Sequence, residues 1–183
     1  MTDSRILLRS ASAKDPATIA RLHTMSWQTA YGEILPADYL HERVPREHES
    51  HWASYMARPA EKRGLVLIAE FAGEPVGFAS AEKMQDPEYG VLLDCLHVMK
   101  AFQGYGAGKL MIEAVRTWAR TSGESRMYLY VLVGNHRAID FYERNGWQYA
   151  GLESSYIGKT PVVDRRYVID TFVAHVGEAM ARE

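Results

Sequence analysis

Leu92-Leu-Asp-Cys-Leu-His-Val98, Met99-Lys-Ala-Phe102, Gln103-Gly-Tyr-Gly-Ala-Gly108 and Lys109-Leu-Met-Ile-Glu-Ala-Val-Arg-Thr-Trp-Ala119 run on from one another without a break. The first piece is an apolar run with a β-branched end, short enough for a strand. The third is a glycine-spaced turn. In the last, Ala107, Leu110, Met111, Ala114, Val115 and Trp118 recur at helical spacing. Lys109, Glu113, Arg116 and Arg120 line the opposite face, and Gly123 supplies a stop. Gln103, Gly106 and Gly108 thus fall where a strand hands over to a helix. Backbone N–H groups are free there and the helix dipole is positive, so an anion is expected, above all a phosphate.

The rest of the chain supplies a scaffold for that turn. Ile6 to Leu8 is a short apolar run, and Asp15-Pro16 has the N-cap and N1 residues of a helix running to about Tyr31. His23, Trp27 and Tyr31 stand at i, i+4 intervals on one face of it. Pro36 to Leu40 and Pro45 to Met56 read as two further helices. Residues 64–70 and Val76 to Ala81 read as a hairpin about Ala72-Gly-Glu-Pro75. Gln85-Asp-Pro87 reads as a loop and Tyr89 to Val98 as the next strand. Met127 to Val133 is a strand, and Asn135 caps a helix ended by Asn145-Gly146. Trp147 to Leu152 and Tyr167 to Val173 are the last strands, with Gly158 to Pro161 as a loop. This order predicts an α/β fold: one mixed, mostly antiparallel twisted sheet flanked by helices, in a single domain over residues 1–183.

Composition narrows the partners. The 183 residues are 47% apolar and 24% charged, with a net charge of −2, so nothing favours nucleic acid. There is one cysteine, Cys95, and no Cys/His spacing of a zinc cage, so no metal is expected. No apolar run approaches the roughly 20 residues that span a bilayer. The N-terminus lacks a signal-like apolar segment, so no membrane association and a cytoplasmic location are expected.

The glycine turn does not fit two familiar phosphate motifs. GxxxxGK[ST] is absent, because Lys109 follows Gly108 directly and is followed by Leu110. Gly104-Tyr-Gly-Ala-Gly108 gives GxGxG, not the dinucleotide GxGxxG, and a hairpin precedes its strand. A pyrophosphate cradle on a bare helix N-terminus, or a turn with no ligand, remains.

Residues 92–147 resemble the GCN5-related N-acetyltransferase (GNAT) family. Its phosphate motif [Q/R]-x-x-G-x-[G/A] is matched by Gln103, Gly106 and Gly108. Its downstream Asn, Ala, Phe-Tyr and Gly are matched by Asn135, Ala138, Phe141-Tyr142 and Gly146. The two motifs stand in the family's order, with the phosphate-binding core at about residues 89–147. The resemblance implies acetyl transfer from acetyl-CoA to a primary amine of a small molecule or peptide, by direct attack in a ternary complex. It further implies that Gln103, Gly104, Tyr105, Gly106, Ala107 and Gly108 hold the pyrophosphate through their backbone. Leu96, His97 and Val98 would pair with pantetheine as an added strand would, with Val98 N–H facing the thioester carbonyl. Asn135 would contact the pantetheine amides, and Tyr142 would protonate the departing thiolate.

The base is open at this stage. By resemblance, many relatives carry a Glu where Leu92 stands here. Asp94, inside an apolar strand, could accept the amine proton through water, bind the ammonium, or only partner a backbone group or an Arg. Strict alternation would put it on one face with Leu92 and Leu96, opposite Cys95 and His97. His97 ranks second as a base, and Cys95 reads as a small core residue. Trp27, Tyr31, Tyr128 and Tyr130 are candidate pocket residues, with Tyr156 to Pro161, Glu153 and Asp164 as an opposite wall. A homodimer through the C-terminal strands is a family-level expectation. Two rival functions stand beside transfer: a non-catalytic acyl-CoA-binding or regulatory module, and a nucleotide-binding protein using the GxGxG turn.

Overall fold

The computed structural model of the chain describes residues 5–83 and 88–172. Seven strands form one sheet: β1 (Ile6–Ser10), β2 (Leu65–Phe71), β3 (Glu74–Lys83), β4 (Val91–Val98), β5 (Arg126–Leu132), β6 (Gln148–Ile157) and β7 (Thr160–Asp170). Their order is β1-β2-β3-β4-β5-β7-β6, and every neighbouring pair is antiparallel except β4 with β5. Four α-helices flank it: α1 (Pro16–Ala30), α2 (Val44–Met56), α3 (Ala107–Thr121) and α4 (His136–Arg144). The α/β class, the mixed sheet and the element order agree with expectation.

Helix α3 lays Ala107, Met111, Ile112, Val115 and Ala119 against Ala79, Leu93, Met127 and Leu129 on one sheet face. Helices α1 and α2 cover the other face, where Ile19, Leu22, Trp52 and Tyr55 pack on Ile68, Phe78 and Cys95. Strands buried on both faces read as near-continuous apolar runs, which is why LVLIA and LLDCL lack a clean alternation.

Several local details differ. Asp15 stands at the N-cap of α1 as expected, but its side chain does not cap the helix; its carboxylate accepts from Arg9 Nη1 and Nη2 at 2.9 and 2.8 Å and from Ser12 N–H at 2.7 Å. Arg9 and the Ser12 backbone hold that carboxyl well below the usual range. A π-helical turn, Tyr39–Arg43, runs straight into α2, in place of a separate helix from Pro36 to Leu40. Strands β6 and β7 are longer than their apolar runs, meeting in a hairpin at Gly158. Gln85-Asp-Pro87 and Val173 lie outside the described residues. No helix of the described residues is long and apolar enough to cross a membrane.

Candidate active site

Two features open the sheet between β4 and β5. The strands pair only at Val91–Met127 and Leu92–Tyr128, then part, leaving Leu93 to Val98 hydrogen-bonded to β3 alone. The β3–β4 register also slips: Ser80 faces Cys95 but Ala81 faces Leu93, so Asp94 is the extra residue of a β-bulge. The bulge overturns the strict alternation. Leu93 and Leu96 pack with the α3 face, Cys95 with the α1–α2 face, and Asp94 is turned out between them into the cleft.

Met99 N–H bonds to Val76 C=O, so the antiparallel alternation turns the main chain of His97 toward β3 and those of Leu96 and Val98 away from it. Leu96 and Val98 therefore offer backbone groups to the parted region. His97 does not: it offers only its side chain, and on the α1 side, where Ser26 Oγ lies 2.8 Å from Nδ1. Gln103 Nε2 donates to Val98 C=O at 2.9 Å, tying the glycine turn to the strand end.

Beyond that tie the main chain is bare. The first helical bond of α3 runs from Leu110 N–H to Gly106 C=O, and the N–H groups from Gly104 to Lys109 have no backbone acceptor among the described residues. Gly106 takes φ +86° as the residue before α3, a conformation that costs a residue with a Cβ about 1–2 kcal/mol. At Gly108 the reason is contact: a Cβ would stand 3.1 Å from Phe141 Cζ on α4. The turn thus presents six consecutive donors at the positive end of a fifteen-residue helix.

The parted strands, the turn, α4 and the α1–α2 pair enclose a cleft of about 830 Å³. Of the expected residues, Leu96, His97, Val98, Gln103, Gly104, Gly106, Ala107, Gly108, Asn135 and Tyr142 line it, as do Asp94, Trp27, Tyr31 and Tyr130. Two do not. Tyr105 is 59% exposed and turns its ring onto Phe71 and Phe102. Tyr128 is buried between Tyr89 and Tyr130 beneath the cleft wall.

Asn135 caps α4 by accepting from Ala138 N–H at 3.2 Å, and its side chain opposes the rise of the Tyr31 phenol. Burial raises Tyr31 to about 12, and it pushes Tyr142 above the ordinary phenol value, with Tyr31 and Cys95 adding to the shift. Burial likewise carries the Cys95 thiol well above its usual value, with the Asp94 charge adding to it. Three elements, α1, β4 and α4, so bring two phenols and a thiol together, all protonated at neutral pH. Asp94 is raised by desolvation; its nearest recorded partner is Cys95 Sγ at 3.7 Å, and no Lys or Arg among the described residues pairs with it.

The opposite wall differs from the expected one. Tyr156 to Pro161, Glu153 and Asp164 do not line the cleft. Glu153 pairs with Arg166, Asp164 accepts from Ser155, and Ile157 and Val162 pack beneath Tyr39 and Leu132. The wall is instead α2, through Glu47, His48 and His51. His48 stacks on His23 at 3.7 Å, His23 lies 4.8 Å from His97, and Trp27 meets both His23 and His48 edge-on. Burial lowers all three histidines, His48 to about 4, His97 to about 3 and His23 in the same direction, so they are uncharged at neutral pH. The His48-x-x-His51 spacing puts both on one helix face, but nothing in the sequence says that this face meets α1.

His23, Cys95 and His97 offer ligand atoms within 4.8 Å of one another. Trp52 Nε1, a donor only, bonds His23 Nδ1 at 3.1 Å. The neutral ring then carries its proton on Nε2, and while that bond holds His23 has no lone pair left for a metal. The trio suits a hydrogen-bonding wall better than a cage.

A model of the Acetyltransferase (GNAT) family matches residues 22–147. An uncharacterized N-acetyltransferase of Bacillus subtilis (strain 168), YuaI, is 29% identical over 140 residues, 75% of this chain and 78% of that protein. A probable spermine N(1)-acetyltransferase of Bacillus subtilis subsp. natto is 36% identical over 87 residues, 44% of this chain and 57% of that protein. Among solved structures, a GCN5-related N-acetyltransferase from Rhodopseudomonas palustris shares the fold with a TM-score of 0.73 at 20% identity, over 93% of this chain and 98% of that one. The PaiA N-acetyltransferase of Thermoplasma acidophilum, solved in complex with coenzyme A, has a TM-score of 0.70 at 18% identity, over 87% and 97% of the two chains. The matched span takes in the glycine turn, both strands that part beside it and the asparagine-capped helix: the chain belongs to the Acetyltransferase (GNAT) family.

Proposed function

We propose that the protein is an N-acetyltransferase in which one domain binds acetyl-CoA and a primary amine together and moves the acetyl group by direct attack. The observation that carries this is the run of unpaired N–H groups from Gly104 to Lys109, opening beside a strand whose outward backbone groups have no strand partner, Val98 C=O alone being taken by Gln103. The pyrophosphate of CoA takes the first and pantetheine the second, as an added half-strand at Leu96 and Val98. That a relative in fold is solved with coenzyme A supports the choice of ligand.

In the reaction the amine nitrogen attacks the thioester carbon, the C–S bond breaks, and one proton leaves nitrogen while one reaches sulfur. Val98 N–H faces the carbonyl oxygen as charge develops on it. Tyr142 holds its proton until the sulfur becomes negative. Burial raises the proton affinity of a thiolate formed in this cleft as it raises that of Cys95, the same direction in which it moves the Tyr142 phenol. Asp94, the turned-out bulge residue, binds the incoming ammonium and takes its proton through water. Release of free thiol from acetyl-CoA on adding amines tests the function; a protein that binds CoA and releases no thiol with any amine contradicts it.

A further inference from the structure

The charges of the cleft are segregated. Its cationic lining residues, Lys109, Arg137 and Arg144, all stand on α3 and α4, beside the proposed phosphate site. At the other end, between α1, α2 and the bulge of β4, the charged lining residues are Asp94 and Glu47, and no Lys or Arg lines it. Glu47 is already engaged by the Tyr39 hydroxyl at 2.8 Å and by Arg43 at 3.4 Å. Asp94 has no Lys or Arg partner among the described residues, and the basic group that acts on its charge is His51 of α2. Burial holds three of the four lining histidines, His23, His48 and His97, neutral. The α1–α2 side of the same cleft is flat: the Trp27 indole stands edge-on to Tyr31 at 5.2 Å, and the imidazoles of His23 and His48 stack.

From this arrangement we infer that the acceptor is an arylalkylamine: a cationic primary amine with an aromatic or heteroaromatic body and no carboxylate or phosphate of its own. The inference rests on the acetyltransferase reading and narrows it. An ammonium meets the one carboxylate of the acceptor end that has no Lys or Arg partner among the described residues. A flat body packs on Trp27 and Tyr31, where edge-to-face and cation–π contacts favour an aromatic cation. A carboxylate on the acceptor, as in an amino acid, would be desolvated beside Asp94 with no Arg or Lys to receive it, and exclusion of that kind sets specificity as strongly as attraction. A long polycation would leave its further charges against uncharged rings.

The test measures kcat/KM by thiol release from acetyl-CoA with tryptamine and phenethylamine, each beside its amino acid, tryptophan or phenylalanine, and with butylamine and spermine. The expected result is that each arylalkylamine exceeds its amino acid, butylamine and spermine by tenfold or more. An amino acid that equals its amine, or a preference for butylamine or spermine, overturns the substrate class while leaving acetyl transfer intact. Thiol release from none of the amines, with CoA binding preserved by calorimetry, also overturns it; loss of CoA binding as well overturns the underlying reading. Ala30→Arg, at the exposed cleft end of α1, places a cation among these residues and should narrow the amine-to-amino-acid ratio at least threefold. An unchanged ratio overturns the electrostatic argument.

Discussion

Lowering the pH from 7 to 5 should destabilise this protein well before its carboxylates titrate. His48 and His97 are brought by burial from an ordinary value near 6.5 to about 4 and about 3, and His23 moves the same way. Between pH 6.5 and those folded-state values the unfolded chain binds protons that the folded chain refuses. Stability therefore falls as pH falls through 6.5, by up to about 1.4 kcal/mol per pH unit for each histidine. Over the 1.5 units down to pH 5, His48 and His97 together lose about 4 kcal/mol. Water in the open cleft trims that to about 3 kcal/mol, and His23 adds to it with the same sign. Two carboxyls bracket the window. Asp15, depressed by Arg9, contributes stability that is lost only below its unfolded value near 3.8. Asp94, raised by burial, acts in the opposite sense, adding stability as pH falls through its folded-state value. Urea unfolding at pH 7.0 and 5.0 in one buffer series measures the effect. A loss of about 3 kcal/mol against a typical domain stability of 5–15 kcal/mol moves the midpoint strongly. Equal midpoints at the two pH values would refute the buried, uncharged histidine cluster.

Other substitutions separate the proposed roles. Tyr142→Phe should lower kcat by 10²-fold or more with acetyl-CoA affinity unchanged, as measured by rapid-quench and calorimetry; an unaltered kcat across pH removes the phenol from the mechanism. Asp94→Asn should reduce kcat/KM for the amine tenfold or more while CoA binds as before; equal activity ends its part in catalysis. Asn135→Ala should cost about 1 kcal/mol through the lost cap of α4, read as a lowered thermal midpoint together with a raised acetyl-CoA KM.

The turn and helix cap of the proposed phosphate end were legible in the sequence because their backbone requirements are local. Gly106 needs a left-handed conformation, Gly108 needs contact with Phe141, and Asn135 needs to cap a helix, and each requirement binds neighbours in sequence or one fixed spacing. The acceptor end was not, because it is assembled from elements distant in the chain. His48 and His51 matter only once α2 has packed across α1, and the spacing on α2 carries no trace of that contact. The bulge at Asp94 was hidden for another reason: a run such as LLDCLHV has no periodicity left to show a slipped register. Tyr128 illustrates the same limit, since it shares a face with Tyr130 yet lies under the wall while Tyr130 is 41% exposed in the cleft. Asp15, by contrast, was read from its place before a proline, and Arg9, a strand away, took its carboxylate instead.

The most direct test of the account is calorimetric titration of the protein, and of its Gly106→Val variant, with CoA, ATP and NAD. A Cβ-branched residue at φ +86° would displace the backbone N–H groups that the pyrophosphate needs. The account predicts one CoA bound per chain, no saturable heat with ATP or NAD, and at least a tenfold loss of CoA affinity in the variant with its fold retained. CoA binding unchanged in the variant, or ATP or NAD bound in place of CoA, would contradict it.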